Sequence, residues 1–356
     1  MPNKLRVGLL GAGWAGGGHA NAFSQVPDVE VSALWSRTRA RAESLAKELK
    51  KSKIQIYDTW QDLIESAEVD VISLATPPTL RLEPLVMALE NRCHVLVEKP
   101  FSVGLNDARA MVTVAQQAAS VTAMCFNWRY APGCQVAWHD IQDGNIGKIF
   151  DVRMEWRLSG LDGDFFKQRP WIMDFTIGDG ILAEGISHEF DRTRFLSGCE
   201  FKKVVSRLVA RPVPLEPEVS IDGGDCKILA VLTDNVLGDF HMTLAPGLPE
   251  YSIVFIGEKG TLKVTHEAAI RQCLDDAEEL AMDVPVKDRL PDGVDINQHT
   301  WNRLISDFVS AIHNADIKHS SVPHLPKLED GLRAQEVITA ARLSEDKRSW
   351  VEFDKL

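Results

Sequence analysis

The residues best suited to chemistry in this chain fall in three short stretches. The first is Glu98-Lys99-Pro100, which ends the apolar run Val95-Leu96-Val97. Pro100 cannot donate to a sheet ladder and disfavours helical geometry at Lys99, so a strand must stop there with Glu98 and Lys99 at its carboxyl end. An amine at the mouth of a buried sheet is partly stripped of water, which suits it to proton transfer, and Lys99 is the candidate acid/base. Over three residues alone, a solvated lysine in a loop reads the same way. The second stretch is Gly11-Ala12-Gly13-Trp14-Ala15-Gly16, a GxGxxG set between an apolar strand and a helix. Gly11 allows a tight turn, Gly13 lets backbone approach a pyrophosphate and Gly16 lets the helix pack on the strand. Gly11, Gly13, Trp14 and Ala15 are therefore the expected phosphate cradle. The third runs from Gly178 to Asp191, where a helix starting near Ile181 sets Glu184, His188 and Asp191 at i, i+4 and i+7 on one polar stripe. Such a stripe can donate, accept and orient protons, although a surface ion-pair row has the same pattern. Its ligand types would suit a metal, but no further Cys/His cluster supports one, and none is expected.

Regular elements must bring these residues to working positions. Apolar strands from Leu5 to Leu10, Val29 to Trp35, Ile54 to Tyr57, Val69 to Ala75, Val95 to Val97 and Val121 to Phe126 alternate with helical stretches. That alternation predicts βαβ units in a doubly wound parallel sheet, a Rossmann domain over residues 1–126, with ligands at the carboxyl ends of its strands. The fourth strand ends at Ala75-Thr76-Pro77, where backbone and the Thr76 hydroxyl are placed to line the nicotinamide half of a dinucleotide. Glu98 and Asn127, at the ends of the next two strands, are expected beside it. Ser36 lies about twenty residues past the last glycine of the motif, where a carboxylate would grip the ribose 2′-hydroxyl of NAD. No acid stands there. Ser36, Arg37 and Thr38, with Arg39 and Arg41 one turn on, suit a 2′-phosphate, which favours NADP(H) over NAD(H). The competing reading makes these arginines the solvated first turn of the next helix.

From Gly147 the pattern changes to longer alternating strands, which predicts a second α/β domain over 127–356 with a large, open, mostly antiparallel sheet. From Lys148 to Ser159, Phe150, Val152, Met154 and Trp156 share one face while Arg153, Glu155 and Arg157 share the other. One side should pack on helices and the other meet water or a partner, so a homodimer or homotetramer through this sheet is expected. Arg211 to Pro214 and Val284 to Asp295 read as polar, proline-bearing loops. The loops from Leu158 to Phe175 and from Arg211 to Asp225 are expected to shape a substrate pocket. Trp301 to Asn314 and Leu328 to Leu343 read as amphipathic helices.

A formal net charge of -12 argues against nucleic-acid and anionic-membrane partners, which basic surface would attract. The six cysteines are scattered without a CxxC pair, several in apolar runs, and read as reduced. The amino terminus shows no basic region followed by an apolar core and cleavage site, and nowhere do about 18 apolar residues run together. A cytoplasmic location is expected.

Taken together, Gly11 to Gly16, Glu98-Lys99-Pro100, Asn127-Trp128-Arg129 with Pro132, Trp171 and Asp174, the Glu184/His188/Asp191 stripe, Gly257 and Gly260, and the terminal DGLRAQEVITAARLSEDKRSWVEF resemble the Gfo/Idh/MocA oxidoreductases over nearly the whole chain. The resemblance implies a carboxy-terminal helix that returns to the Rossmann domain. It also implies hydride transfer between nicotinamide C4 and a hydroxyl or carbonyl carbon of a sugar, sugar acid or cyclitol. Lys99 and His188 map onto the family's catalytic lysine and histidine, Glu184 would orient His188 or bind a neighbouring hydroxyl, and Arg129, Trp171 and Asp191 would contact substrate. Four positions depart from the family pattern. Glu184 replaces the usual aspartate, Ile186 stands where a glycine is usual, Arg81 occupies a place where histidine is common, and Ser36 stands for the frequent aspartate. A glycosidase or lyase using NAD for transient oxidation would share the fold, as would a nucleotide-sensing regulator, though the retained Lys99 and His188 argue against the latter.

Overall fold

Val71–Leu74 is buried throughout and His94–Val97 nearly so, as strands covered on both faces by helices must be. They are the middle of a six-stranded sheet in a computed structural model of the protein, which describes residues 4–356 apart from 50–53, 67, 159–168, 174, 179, 214–215, 246, 276–278, 317 and 319–320. The strands are β1 (Leu5–Leu10), β2 (Val29–Trp35), β3 (Gln55–Ile56), β4 (Val71–Leu74), β5 (His94–Val97) and β6 (Thr122–Met124), all parallel, in the order β3-β2-β1-β4-β5-β6. Helices α1 (Trp14–Gln25), α2 (Arg39–Glu48), α3 (Trp60–Ser66), α4 (Leu82–Glu90) and α5 (Leu105–Gln117) alternate with them. The strand order reverses between β1 and β4, so the turns after these two strands lie side by side at the switch point where α/β sheets bind ligands.

The chain forms two compact units, residues 1–127 with 293–332 and residues 128–292 with 333–356. The second holds α6 (Pro132–Gln142), β7 (Ile149–Arg157), α7 (Gly180–Ser197), β8 (Phe201–Val213), β9 (Glu216–Leu232), β10 (Leu237–Thr243), β11 (Glu250–Gly257), β12 (Gly260–Val264), β13 (Ala269–Cys273) and β14 (Glu279–Ala281). With β15 (Val351–Glu352) they form a nine-stranded sheet in the order β14-β13-β12-β11-β7-β10-β9-β8-β15. Every neighbouring pair is antiparallel except β7 with β10. One face buries Val152, Met154, Ile228, Phe240, Met242 and Phe255 in a core shared with Ile181, Leu182, Ile186 and Phe190 of α7. The fold class read from the sequence, a Rossmann sheet followed by a mostly antiparallel one, is the fold observed.

Several local expectations are corrected. Phe150 does not share the inner face with Val152 and Met154: Asp151 pairs with Ile256 but Ile149 with Gly257, and this bulge buries Ile149 while leaving Phe150 half exposed. The stretch from Arg211 is not a loop. Strand β8 runs on through Pro212 to Val213, opposite Ser220 and Glu216 of β9, and Pro212 is tolerated because β15 covers β8 only near Lys203 and Val204, leaving an edge where a missing N–H costs nothing. Pro132 stands in the first turn of α6, a position proline favours. The next-to-last helix, α8 (Ile296–His313), begins just after the expected loop and well before Trp301, because Asp295 accepts hydrogen bonds from the backbone N–H groups of Asn297 and Gln298 and caps it there. The last helix, α9 (Leu328–Lys347), runs past Leu343. Of the expected pocket loop from Leu158 to Phe175, residues 159–168 and 174 lie outside the described residues.

Candidate active site

Gly11 ends β1 with φ at +111°, and a Cβ there would overlap the Ala75 carbonyl oxygen, so only glycine lets the β1 turn lie against the β4 turn. Gly13 differs: a Cβ on it would meet nothing within 4 Å. It caps α1 without a side-chain hydrogen bond, and the first turn of the helix carries no acid. Open approach to a helix N-terminus is what a pyrophosphate requires, and these residues fit a dinucleotide. Trp14 is exposed on this first turn and meets Trp301 edge to face at 4.7 Å, and Ala15 is half-buried beside it. After β2, Ser36 is half-buried while Arg37 and Thr38 are exposed. Arg39, expected to join them, is instead paired with Glu43 and Asp58.

Around the end of β5 the side chains turn inward. The Glu98 carboxylate is buried, with Oε2 accepting the Lys99 N–H at 2.7 Å and Oε1 3.2 Å from His19 Nε2. A carboxylate only accepts, so the His19 proton on Nε2 faces Glu98, and Nδ1 lies 2.8 Å from the Ser73 hydroxyl. Burial pushes Glu98 up, but the His19 hydrogen bond and the charges of Lys99 and Arg81 outweigh it and hold the carboxyl below its ordinary range. Glu98 thus anchors the strand end from inside. The Thr76 hydroxyl likewise donates to the Leu80 carbonyl at 2.9 Å, and the Asn127 amide donates to Thr300 at 2.6 Å, so the polar groups expected to face a nicotinamide are held by the protein. Ala75 and Pro77 offer backbone there and are half-buried, as is Lys99.

The second unit organises the other candidates around α7. Trp128 and Arg129, adjacent in the turn Asn127–Tyr130, engage two positions on that helix. Trp128 stacks on His188 with ring centroids 4.3 Å apart and 15° between planes, and Arg129 grips Asp191 through Nε–Oδ2 at 2.8 Å and Nη2–Oδ1 at 2.5 Å. Face-on stacking fixes the plane in which the His188 nitrogens donate or accept. Arg129 and Asp191 share these polar atoms in a buried bidentate pair, which anchors α7. Glu184 is half-buried one turn before His188, and Trp171 is half-buried in the short Pro170–Ile172 turn, its backbone and ring close against Gly178. A further layer beside Trp128 has no counterpart in the sequence reading. Glu189 Oε2 accepts from Arg192 at 2.8 Å and from the Tyr251 hydroxyl at 2.7 Å, Arg192 lies 4.8 Å above the Tyr251 ring, and His266 stacks on Tyr251 at 4.0 Å. Burial, outweighing the attraction of Arg192, pushes the Glu189 carboxyl up to about 7, and burial with the nearby Arg192 charge pushes His266 well down. No signal in the local sequence joins Glu189 to Tyr251, because the partners lie on different elements.

Comparison with known proteins gives matches over most of the chain. Residues 5–126 match the oxidoreductase family model for an NAD-binding Rossmann fold, and residues 139–353 match that family's C-terminal alpha/beta domain. Levoglucosan dehydrogenase of Pseudarthrobacter phenanthrenivorans is 28% identical over 221 residues, 60% of this chain and 56% of that protein. D-glucoside 3-dehydrogenase of Escherichia coli is 31% identical over 149 residues, 42% of each chain, and glucose-6-phosphate 3-dehydrogenase of Bacillus subtilis is 24% identical over 94% of each. The match thus spans about half the length of the first two of these relatives and nearly all of the third. Among solved structures, a levoglucosan dehydrogenase in complex with NADH and L-sorbose superposes with a TM-score of 0.83 over 99% of each chain at 21% identity, and an oxidoreductase domain protein from Kribbella flavida with 0.84 over 99% of each at 24%. With both halves matched, the chain belongs to the Gfo/Idh/MocA family of oxidoreductases.

Proposed function

We propose that the protein is a dinucleotide-dependent dehydrogenase acting on a secondary hydroxyl, or the matching carbonyl, of a sugar, sugar acid or cyclitol. The observation that carries this reading is the glycine turn at the β1/β4 switch point, where Gly13 stands open at the start of α1, in the same sheet whose β5 runs on into Glu98 and Lys99. Relatives named as levoglucosan, D-glucoside and inositol dehydrogenases support the polyhydroxylated substrate class. When bound, the nicotinamide supplies the carbon that takes or gives hydride.

The chain's own residues supply placement and proton handling. Amides after Gly11 would hold the pyrophosphate, and the Ala75 to Pro77 backbone would bound the nicotinamide end. Lys99 takes the hydroxyl proton in oxidation and returns it in reduction, and His188, its ring plane set by Trp128, is the second proton-handling group. Glu184, one helical turn from His188, orients it or holds a neighbouring hydroxyl. Ser36 and Arg37 favour NADP(H), Arg37 being exposed where Arg39 is occupied by ion pairs. The open face of the nine-stranded sheet, where Val209, Leu229 and Leu237 are exposed, is read as a contact between copies of the chain, and light scattering at micromolar concentration should give at least a dimer.

The test is a spectrophotometric screen of NADPH and NADH oxidation against aldoses, ketoses and inosose-type ketones, with the reverse reaction run on methyl glucosides and inositols. Turnover on at least one, with stoichiometric change in the dinucleotide, is expected. Substrate cleavage with no net change in added dinucleotide would replace this reading with a transient-oxidation hydrolase or lyase.

A further inference from the structure

Arg81 is almost completely buried, and its guanidinium donates to backbone carbonyls from two separate segments. Nε and Nη2 donate to the Thr76 carbonyl at 2.9 and 2.5 Å, Nη1 donates to the carbonyls of Glu98 and Pro100, and Nη2 lies 3.3 Å from the Lys99 carbonyl. One planar fork therefore ties the turn after β4 to three consecutive residues after β5. Within the second of these segments, the Glu98 carboxylate takes the Lys99 N–H and is itself held by His19. A lysine would not reproduce this fork, because its three donors radiate from one atom and cannot serve the carbonyls of Thr76, Glu98, Lys99 and Pro100 together. Nor would stability alone favour such an arrangement, since burying a cation carries a desolvation cost that an apolar side chain would avoid.

We infer that Arg81 is a positioning residue that sets the Thr76–Pro77 turn, and the nicotinamide end it bounds, at a fixed offset from the backbone of Lys99. This rests on the reading of Lys99 given under Proposed function and adds to it the element that fixes the hydride and proton positions relative to each other. Without the fork, the two loops lose the hydrogen bonds that tie them to one shared group. A displacement of about 1 Å at reacting atoms costs on the order of 100-fold in rate.

The test uses the full chain carrying Arg81→Gln. Should that variant fold poorly, Arg81→Lys, which keeps the stem and charge but not the fork, carries the same expectation. Hydrogen–deuterium exchange should rise in the 75–77 and 98–101 segments together, with α2 unchanged. With NADPH dideuterated at C4 and scyllo-inosose, or whichever ketone of the screen turns over, kcat should fall by about 10- to 100-fold. The primary isotope effect should increase, while dinucleotide Kd stays within about threefold because the glycine turn is untouched. A variant that is merely less folded would lose kcat in proportion to its folded fraction and keep the wild-type isotope effect, and that result overturns the inference. So does unchanged exchange in both segments. Lys99→Met is assayed in parallel: wild-type turnover there, beside a raised isotope effect in the Arg81 variant, would refute the role of Lys99 and leave the clamp standing.

Discussion

Breaking the Arg129–Asp191 pair should be the most damaging single change to the second unit. The two side chains are 6% and 0% exposed and share two parallel hydrogen bonds, and the Arg129 guanidinium also lies 4.8 Å from the Phe195 ring. Removing Asp191 strands a buried cation against an aromatic ring, which in comparable interiors costs about 3 to 5 kcal/mol. Asp191→Asn retains an acceptor and should fall near ~3 kcal/mol, Asp191→Leu near ~5 kcal/mol, and Arg129→Met between them because it leaves the buried carboxylate without its cation. Replacing both partners by Met and Leu removes both desolvation costs, so the double variant should lie within about 1 to 2 kcal/mol of wild type, giving a coupling energy of roughly 7 kcal/mol. Against a total stability on the order of 5 to 15 kcal/mol, the single variants would lose a large share of what holds the fold. Urea unfolding of the full chain, followed by tryptophan fluorescence and far-ultraviolet circular dichroism, measures all four corners of the cycle. Repeating it at high salt is a second check, because a buried pair is screened far less than an exposed one. Single variants costing less than about 1 kcal/mol, the range of exposed pairs, or a coupling energy that vanishes with salt, would refute the reasoning.

Lys99→Met should lower turnover by about 10²- to 10⁴-fold while dinucleotide affinity, measured by calorimetry, stays nearly intact; full turnover on the true substrate would exclude Lys99 as the acid/base. Ser36→Asp with Arg37→Ala should reverse a preference for NADPH, a charge-assisted contact worth about 1.5 to 3 kcal/mol, and wild type binding NADH at least as tightly as NADPH would sink the assignment. Glu189 gives a pH signature. Its carboxyl is raised from 4.5 to about 7 by burial, so between those values the unfolded chain has released a proton that the folded one keeps, and stability falls as pH rises through the window. The drop should amount to about 3 kcal/mol at ~1.4 kcal/mol per unit, and Glu189→Gln should flatten it; an unchanged slope in that variant would assign the pH dependence elsewhere.

The elements most legible in the sequence are those whose cause is local. A strand running into GxGxxG, a strand stopped by Pro100 and a helix that sets His188 and Asp191 one turn apart each depend on residues within a few positions of one another. What escapes depends on partners far away in the chain. Nothing near Arg81 announces that it will meet Pro100, nor does the spacing of Gly16 and His19 reveal that the histidine will bridge Ser73 and Glu98. The same holds for Asn127 and Thr300. Period-2 alternation places Phe150 inside because a bulge, which shifts the phase by one residue, leaves no mark on composition. Strands β13 and β14 escape for a plainer reason: AIRQC and ELA are too short and too weakly patterned to stand out from a turn.

Helix α8 packs on α1 so closely that a Cβ on Gly18 would overlap the Trp301 ring, and Gln298 and Asn302 donate to the Gly18 carbonyl and to Gln25. Further along, the Pro326 carbonyl accepts from Met124 N–H, extending the edge of β6. These contacts make the first unit discontinuous, and that has a consequence on the ribosome. At about 5 to 20 residues per second, roughly 10 to 40 s of synthesis separate the emergence of Asn127 from that of Leu332. Through that interval the nascent dinucleotide-binding unit exposes the groove of α1 that Trp301 will fill. Its completion therefore waits for residues 293–332 to emerge, and a gene fragment cut after β6 would present that groove to chaperones for as long as it exists.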